Sequence, residues 1–248
     1  MTLNQSENNI AKLTGFVEKE PVFSHEVYGE GFYVFIVRTR RLSDSFDLIP
    51  VTVSDRLTDI SGLKSGRFLM VEGQFRSYNS VLNGGQVKLT LTLFAQEISF
   101  PETIPDTDID NVEMNGFICK PPVYRTTPFN REISDFLLAV NRSYNKSDYL
   151  PCICWGRNAR FCGKRKVGDH VAVVGRMQSR VYQKKLPDGT VSERTAYEVS
   201  VSKIELIDVT DSSAQANKEN RYEADGAEAK ETIRGAGAEP SALASGQV

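Results

Sequence analysis

One tryptophan, two histidines and four cysteines stand in 248 residues, and each scarcity closes off a class of function. No run approaches eighteen apolar residues, so no membrane-spanning helix is predicted. The opening Met1-Thr2-Leu3-Asn4-Gln5-Ser6 has neither a basic nor an apolar region; it does not read as a secretory signal, and the cytoplasm is the expected location. A zinc site would need paired C-x2-C spacings. Cys152 and Cys154 instead share one strand face, and Cys119 and Cys162 stand alone, as small buried hydrophobes do. His25 and His170 lie far apart beside no nucleophile motif, and the carboxylates follow no metal-binding pattern. The stretch from Gly156 to Lys164 is not a phosphate loop, because Arg165 stands where Ser or Thr is needed. Neither an enzyme nor a cofactor or metal is expected.

What is present centres on Asp148-Tyr149-Leu150-Pro151-Cys152-Ile153-Cys154-Trp155-Gly156. Read with a period of two, Leu150, Cys152 and Cys154 point into a core, while Tyr149, Pro151, Ile153 and Trp155 point away from it. Arg157, Arg160, Lys164, Arg165 and Lys166 follow directly. Aromatics on a strand face beside a run of cations suit a flexible polyanion whose bases stack.

The same stretch occurs upstream as Asp47-Leu48-Ile49-Pro50-Val51-Thr52-Val53-Ser54, so the chain is read as a repeat. Leu13-Thr14-Gly15-Phe16 matches Met114-Asn115-Gly116-Phe117. Val71-Glu72-Gly73-Gln74-Phe75-Arg76-Ser77 matches Val173-Val174-Gly175-Arg176-Met177-Gln178-Ser179, and Leu93 to Ile98 matches Val199 to Ile204. Two copies of one domain follow.

Each copy reads as all-β. In the second, strands are predicted over 113–119, 136–141, 149–155, 171–178 continuing into 181–184, and 195–206. A short helix or turn falls around 158–164, and Pro187-Asp188-Gly189 makes a hairpin turn, with Asn83-Gly84-Gly85 as its counterpart. Five strands with one short helix between the third and fourth predict two tandem OB-fold barrels, five-stranded and Greek-key. The expected organisation is a first barrel over 1–100, a semi-extended linker over 101–110, a second barrel over 111–208 and a disordered tail over 209–248. Charge is uneven. Residues 1–110 hold 10 Lys and Arg against 15 Asp and Glu, residues 111–208 hold 16 against 10, and the tail holds 4 against 7. A sequence pI near 5.8 therefore hides a basic second barrel, whose local field is what a phosphate chain would feel.

Over about residues 112–207 the second copy resembles the bacterial single-stranded DNA-binding protein family. The resemblance rests on Gly116, Pro122, Leu138-Ala139-Val140, the strand ending at Gly156, Val174-Gly175-Arg176 and Glu198-Val199. It implies base stacking on Tyr144, Tyr149, Trp155 and Tyr182 and basic contacts from Arg157 and Arg180. The charge pattern adds Arg160, Lys164, Lys166 and Lys184 as candidates. The matching positions of the first copy, Ser43, Leu48, Ser54 and Ser80, hold no aromatic, so that copy is expected to be structural.

The family works as four barrels, which a homodimer of this chain would supply. Single-stranded DNA is the expected partner, bound with little sequence preference in replication, repair or recombination. A protein-interaction module of replication or restart, resembling primosomal replication protein N, is the alternative, since one fold hosts many ligands. Residues 241–248 lack the acidic tip with which family members typically recruit other replication proteins; an accessory or mobile-element role is therefore also open.

Overall fold

The structure is a computed structural model, and residues 8–43, 45–81, 87–185 and 189–207 of it are described. The expected turn at Asn83-Gly84-Gly85, Pro187 and Asp188 of the second turn, and the tail lie outside those residues. Five strands close the first barrel: β1 (Asn9–Val27), β2 (Glu30–Arg40), β3 (Phe46–Ser54), β4 (Phe68–Val81) and β5 (Val87–Ser99). They run 1-2-3-5-4 around the barrel, and β1 pairs with both β2 and β4 to shut it. Every contact is antiparallel except β3–β5.

The second barrel repeats this plan. β6 (Asp110–Ile118), β8 (Glu132–Asn141), β9 (Ser147–Trp155), β10 (His170–Lys185) and β11 (Val191–Leu206) take the corresponding places, and β6 pairs with β8 and β10. β8 begins at Glu132 rather than 136 and β6 at Asp110 rather than 113, and two elements differ further from the sequence-based expectation. β7 (Val123–Thr126) is an added hairpin arm on β8. The helix α1 (Gly156–Cys162) starts directly after β9 rather than two residues later. Gly156, at φ +54, permits that abrupt turn, because a left-handed backbone is easy only for glycine.

The matched glycines of the repeat mark where each barrel closes. A Cβ on Gly15 would sit 2.3 Å from the Arg38 carbonyl oxygen, and one on Gly116 2.3 Å from that of Ala139. Both are the crossing points of the first strand over the second, where any side chain would force the sheets apart.

Alternation sorts the core as expected. Leu150, Cys152 and Cys154 are buried beside Leu138, Val140, Met177 and Val199, and Leu13, Phe35, Val37, Ile49, Val71, Phe75 and Leu93 fill the first barrel. Cys162 is buried too, and the Sγ of half-buried Cys119 donates to the Leu137 carbonyl at 3.2 Å. Burial pushes the Cys119 thiol up to about 12, so the thiolate is disfavoured.

The barrels join edge to edge. β1 pairs antiparallel with β6, placing Asn9 opposite Met114, Ala11 opposite Val112 and Leu13 opposite Asp110. Ala11 and Val112 occupy equivalent places in the two copies, so the pairing is self-complementary about that point, as an isologous contact is. Both are fully buried and merge the two cores into one.

Side chains repeat the symmetry. Asp47 of β3 accepts the Ser179 N–H at 2.7 Å, while Asp148 of β9 accepts the Ser77 N–H at 2.7 Å. Each serine hydroxyl in turn accepts the N–H of the residue after the aspartate, Leu48 at 3.0 Å and Tyr149 at 2.8 Å. The stretch expected to be a linker is fastened down. The Arg40 N–H donates to Asp108 at 2.7 Å, Thr14 and Ile109 exchange two hydrogen bonds, and Asp110 already belongs to β6.

Candidate nucleic-acid interface

β9 lies between β8 and β11, so its middle is shielded on both sides and only its ends open. Tyr149 and Pro151 are half-buried. Ile153 is buried at 7% exposure, against the expected outward face, whereas Trp155 at the strand end is 42% exposed. Six residues separate the two aromatics, about 20 Å along a strand, so they would meet different bases of one bound strand.

α1 then carries the cations. Ala159 and Cys162 are its buried side. Arg157 and Arg160 are exposed and, three residues apart, share the opposite face, while Lys164 is exposed just beyond the helix end. They are not equivalent. Arg160 pairs with Glu132 at 3.4 Å, and Arg165 lies over the Phe161 ring at 4.5 Å with Asp169 at 3.9 Å. Arg157, Lys164 and Lys166 form no ion pair among the described residues.

On β10, Tyr182 is half-buried, with the Arg180 guanidinium 5.9 Å from its ring centre. Arg180 also reaches Glu198 at 3.8 Å, so it is partly neutralised. Lys184 is half-buried farther along the strand. The backbone of Tyr144 forms a 3-10 turn over Ser143–Asn145, and its side chain lies outside the described residues. Most of the expected residues thus fall into two groups, one around Trp155 and α1 and one on the β10–β11 arm, with Tyr149 and Tyr144 at and before the start of β9.

Register adds two residues that the sequence did not single out. Arg125, Ile133 and Trp155 are direct neighbours across β7, β8 and β9, which sets the half-exposed Arg125 in one row with Trp155, although Asp135 holds it at 2.8 Å. Arg194 lies opposite Tyr182 and is exposed. Neither was visible without the pairing of strands.

In the first barrel two of the corresponding positions are tied into structure. The Leu48 N–H is held by Ser179, and the buried Ser54 hydroxyl donates to Glu30. Aromatics are nonetheless plentiful there. Arg76 lies 4.0 Å over Phe94, Phe94 lies 5.9 Å from Phe32, and Phe32 stacks on His25 at 5.0 Å. These rings face one another, so much of their stacking surface is already covered.

Residues 109–207, which contain the whole Trp155 and Tyr182 surface, match the single-strand binding protein family. The match coincides with the second barrel. Among similar proteins, the single-stranded DNA-binding protein 1 of Lactococcus lactis is 33% identical over 82 residues, covering 30% of this chain and 55% of its own length. The single-stranded DNA-binding protein of Caldanaerobacter subterraneus is 33% identical over 81 residues, with 30% and 54% covered. The chain spans just over half the length of these relatives. The crystal structure of the single-stranded DNA binding protein from Thermus aquaticus superposes with a TM-score of 0.62 at 18% identity, covering 85% of this chain and 98% of that one. At that identity the likeness speaks for the fold, and its coverage extends well beyond residues 109–207.

Proposed function

We propose that this chain binds single-stranded DNA with little sequence preference, by stacking and phosphate contacts and without chemistry, in replication, repair or recombination in the cytoplasm. One observation carries the reading. The sole tryptophan ends a core strand half exposed, and three cations without an ion pair among the described residues follow it on and just after one short helix. Stacking tolerates any base because every base has a π face, and contributes roughly 1–3 kcal/mol per base. Tyr149 and Tyr182, with Tyr144, would continue the path, and Arg157, Lys164 and Lys166 would meet phosphates ahead of the paired Arg160 and Arg180, with Lys184 beyond. The first barrel supports the second, since its matching positions hold no aromatic and Leu48 among them is engaged in the junction. Relatives named for single-stranded DNA binding favour the same reading.

Trp155 emission tests it directly. Oligo-dT should quench the emission strongly and a duplex of equal length only weakly, because duplex bases are already stacked on each other. Equal, weak responses to both would favour a protein-interaction module instead. The assembly follows from the barrel count: a homodimer would bring four barrels together. Light scattering at micromolar concentration should return twice the 27.6 kDa chain mass, and a monomer that still binds tightly would defeat that arrangement.

A further inference from the structure

Both barrels end their first hairpin in an exposed aromatic ring. In the first, β1 and β2 are joined by Tyr28-Gly29, at φ +49 and +75, and Tyr28 is 99% exposed. A two-residue turn with both φ positive favours Asn-Gly. A tyrosine there is strained, and its ring touches no other ring or cation among the described residues. Local folding would be better served by asparagine, and strain of this kind points to use.

In the second barrel the β7–β8 tip is a tightly bonded loop. The Thr127 N–H donates to the Arg131 carbonyl at 2.8 Å, the Asn130 N–H to the Thr127 carbonyl at 2.9 Å, and the Arg131 N–H to the Thr127 hydroxyl at 3.1 Å. It holds Phe129 at 79% exposure. Phe129 stands at the tip of the hairpin whose strand β8 pairs Ile133 with Trp155. Arg125 and Arg131 flank that course, both exposed.

A protein-docking patch would be a contiguous apolar surface. Phe129 is a single ring among Thr127, Asn130 and Arg131, while Tyr28 has Glu30 and Arg56 beside it and the partly exposed Val27 before it. Arg56 bonds the Tyr28 carbonyl at 3.5 Å and pairs with Glu30 at 3.6 Å. The loop between the first two strands is also one of the places where this fold takes oligonucleotides.

We propose that Phe129 and Tyr28 are stacking contacts for the unpaired strand, so that each barrel holds a base at its first hairpin tip and the first barrel meets DNA there rather than on its strand face. This rests on the strand-binding reading above. The test uses the full chain and a labelled oligo-dT long enough to span both barrels, with Trp155 emission as an independent report of strand binding at β9. Phe129→Ala should weaken binding roughly five- to a hundredfold, Phe129→Tyr should restore it, and quenching of Trp155 at saturation should persist in both. Tyr28→Asn should raise the thermal midpoint while lowering affinity, a combination that a purely structural tyrosine would not give. Normal quenching with wild-type affinity in Phe129→Ala and Tyr28→Asn overturns the inference alone. A change of assembled mass with no change of affinity overturns it in favour of a protein contact. Absent quenching in the unaltered chain removes the strand-binding reading and this inference together.

Discussion

Trp155 owes its position to two neighbours in sequence. Cys154 before it is fully buried, and Gly156 after it turns the chain into α1, so the indole is held at an edge rather than packed. Trp155→Ala should therefore weaken oligo-dT binding by roughly 1–3 kcal/mol with little change in urea midpoint; an unfolded variant would make Trp155 a core residue. The cations separate by their partners. If Arg157 neutralises one phosphate, Arg157→Ala should reduce the slope of log affinity against log salt by about 0.7. Arg160→Ala should reduce it less, because Glu132 already neutralises part of that charge. Titrations at several salt concentrations distinguish the two, and equal slopes for both would mean the Glu132 pair does not persist in solution. Period-two alternation made Leu150, Cys152, Cys154 and Trp155 legible in the sequence. It failed at Ile153, because alternation gives the direction of a side chain but not the shelter of flanking strands.

Among elements, those with a buried face were legible and those without were not. β9 and β10 announce themselves by alternation, but all four residues of β7 are exposed and prolines crowd both its sides, so neither periodicity nor composition marks a strand there. Its existence depends on pairing with β8. The junction between β3, β4, β9 and β10 was half legible: the matched Asp47 and Asp148 were visible as a repeat, but that each crosses to the other barrel was not. The two locks differ chemically. Asp148 is raised from the ordinary carboxylate range, chiefly by burial, and accepts mainly neutral donors, with Arg142 at 3.4 Å. Asp47 is gripped by Arg41 at 2.5 Å and Arg176 at 2.8 Å. Asp148→Ala, which leaves the buried Ser77 N–H without its acceptor, should destabilise by roughly 1–3 kcal/mol. Asp148→Asn keeps an acceptor and should be milder. Asp47→Asn should be the worse of the two asparagine variants, since it leaves two guanidinium groups without their counter-charge. Urea unfolding ranks the three, and a harmless Asp47→Asn would show that its arginines find solvent easily.

At the scale of the whole molecule, the two copies share their junction register and its serine–aspartate hydrogen bonds but differ at Asn9 and Asp110. Asn9 holds both free backbone groups of Phe75, donating to its carbonyl at 2.6 Å and accepting its N–H at 3.0 Å. Its counterpart Asp110 accepts the N–H of Met177 at 2.9 Å but, when ionised, has no proton to give. Burial pushes the Asp110 carboxyl up to about 7, and the nearby charge of Asp47 adds to this, while the Met177 N–H, Arg176 and Arg41 act in the opposite sense. Ionising Asp110 also sets two carboxylates in competition for the same two arginines. The sign follows from linkage. Between about pH 4 and pH 7 the folded chain holds a proton that the unfolded chain has released, so stability falls as pH rises through that window and levels off above it. Asp148, raised in the same direction, contributes a slope of the same sign. Thermal midpoints measured from pH 5 to pH 8 should therefore decline. Asp110→Asn should flatten most of that decline and raise the midpoint at pH 8, because an amide at this position can make both of the bonds that Asn9 makes. A variant that keeps the full slope would place the titrating group elsewhere, and the junction would then owe none of its pH dependence to this departure from symmetry.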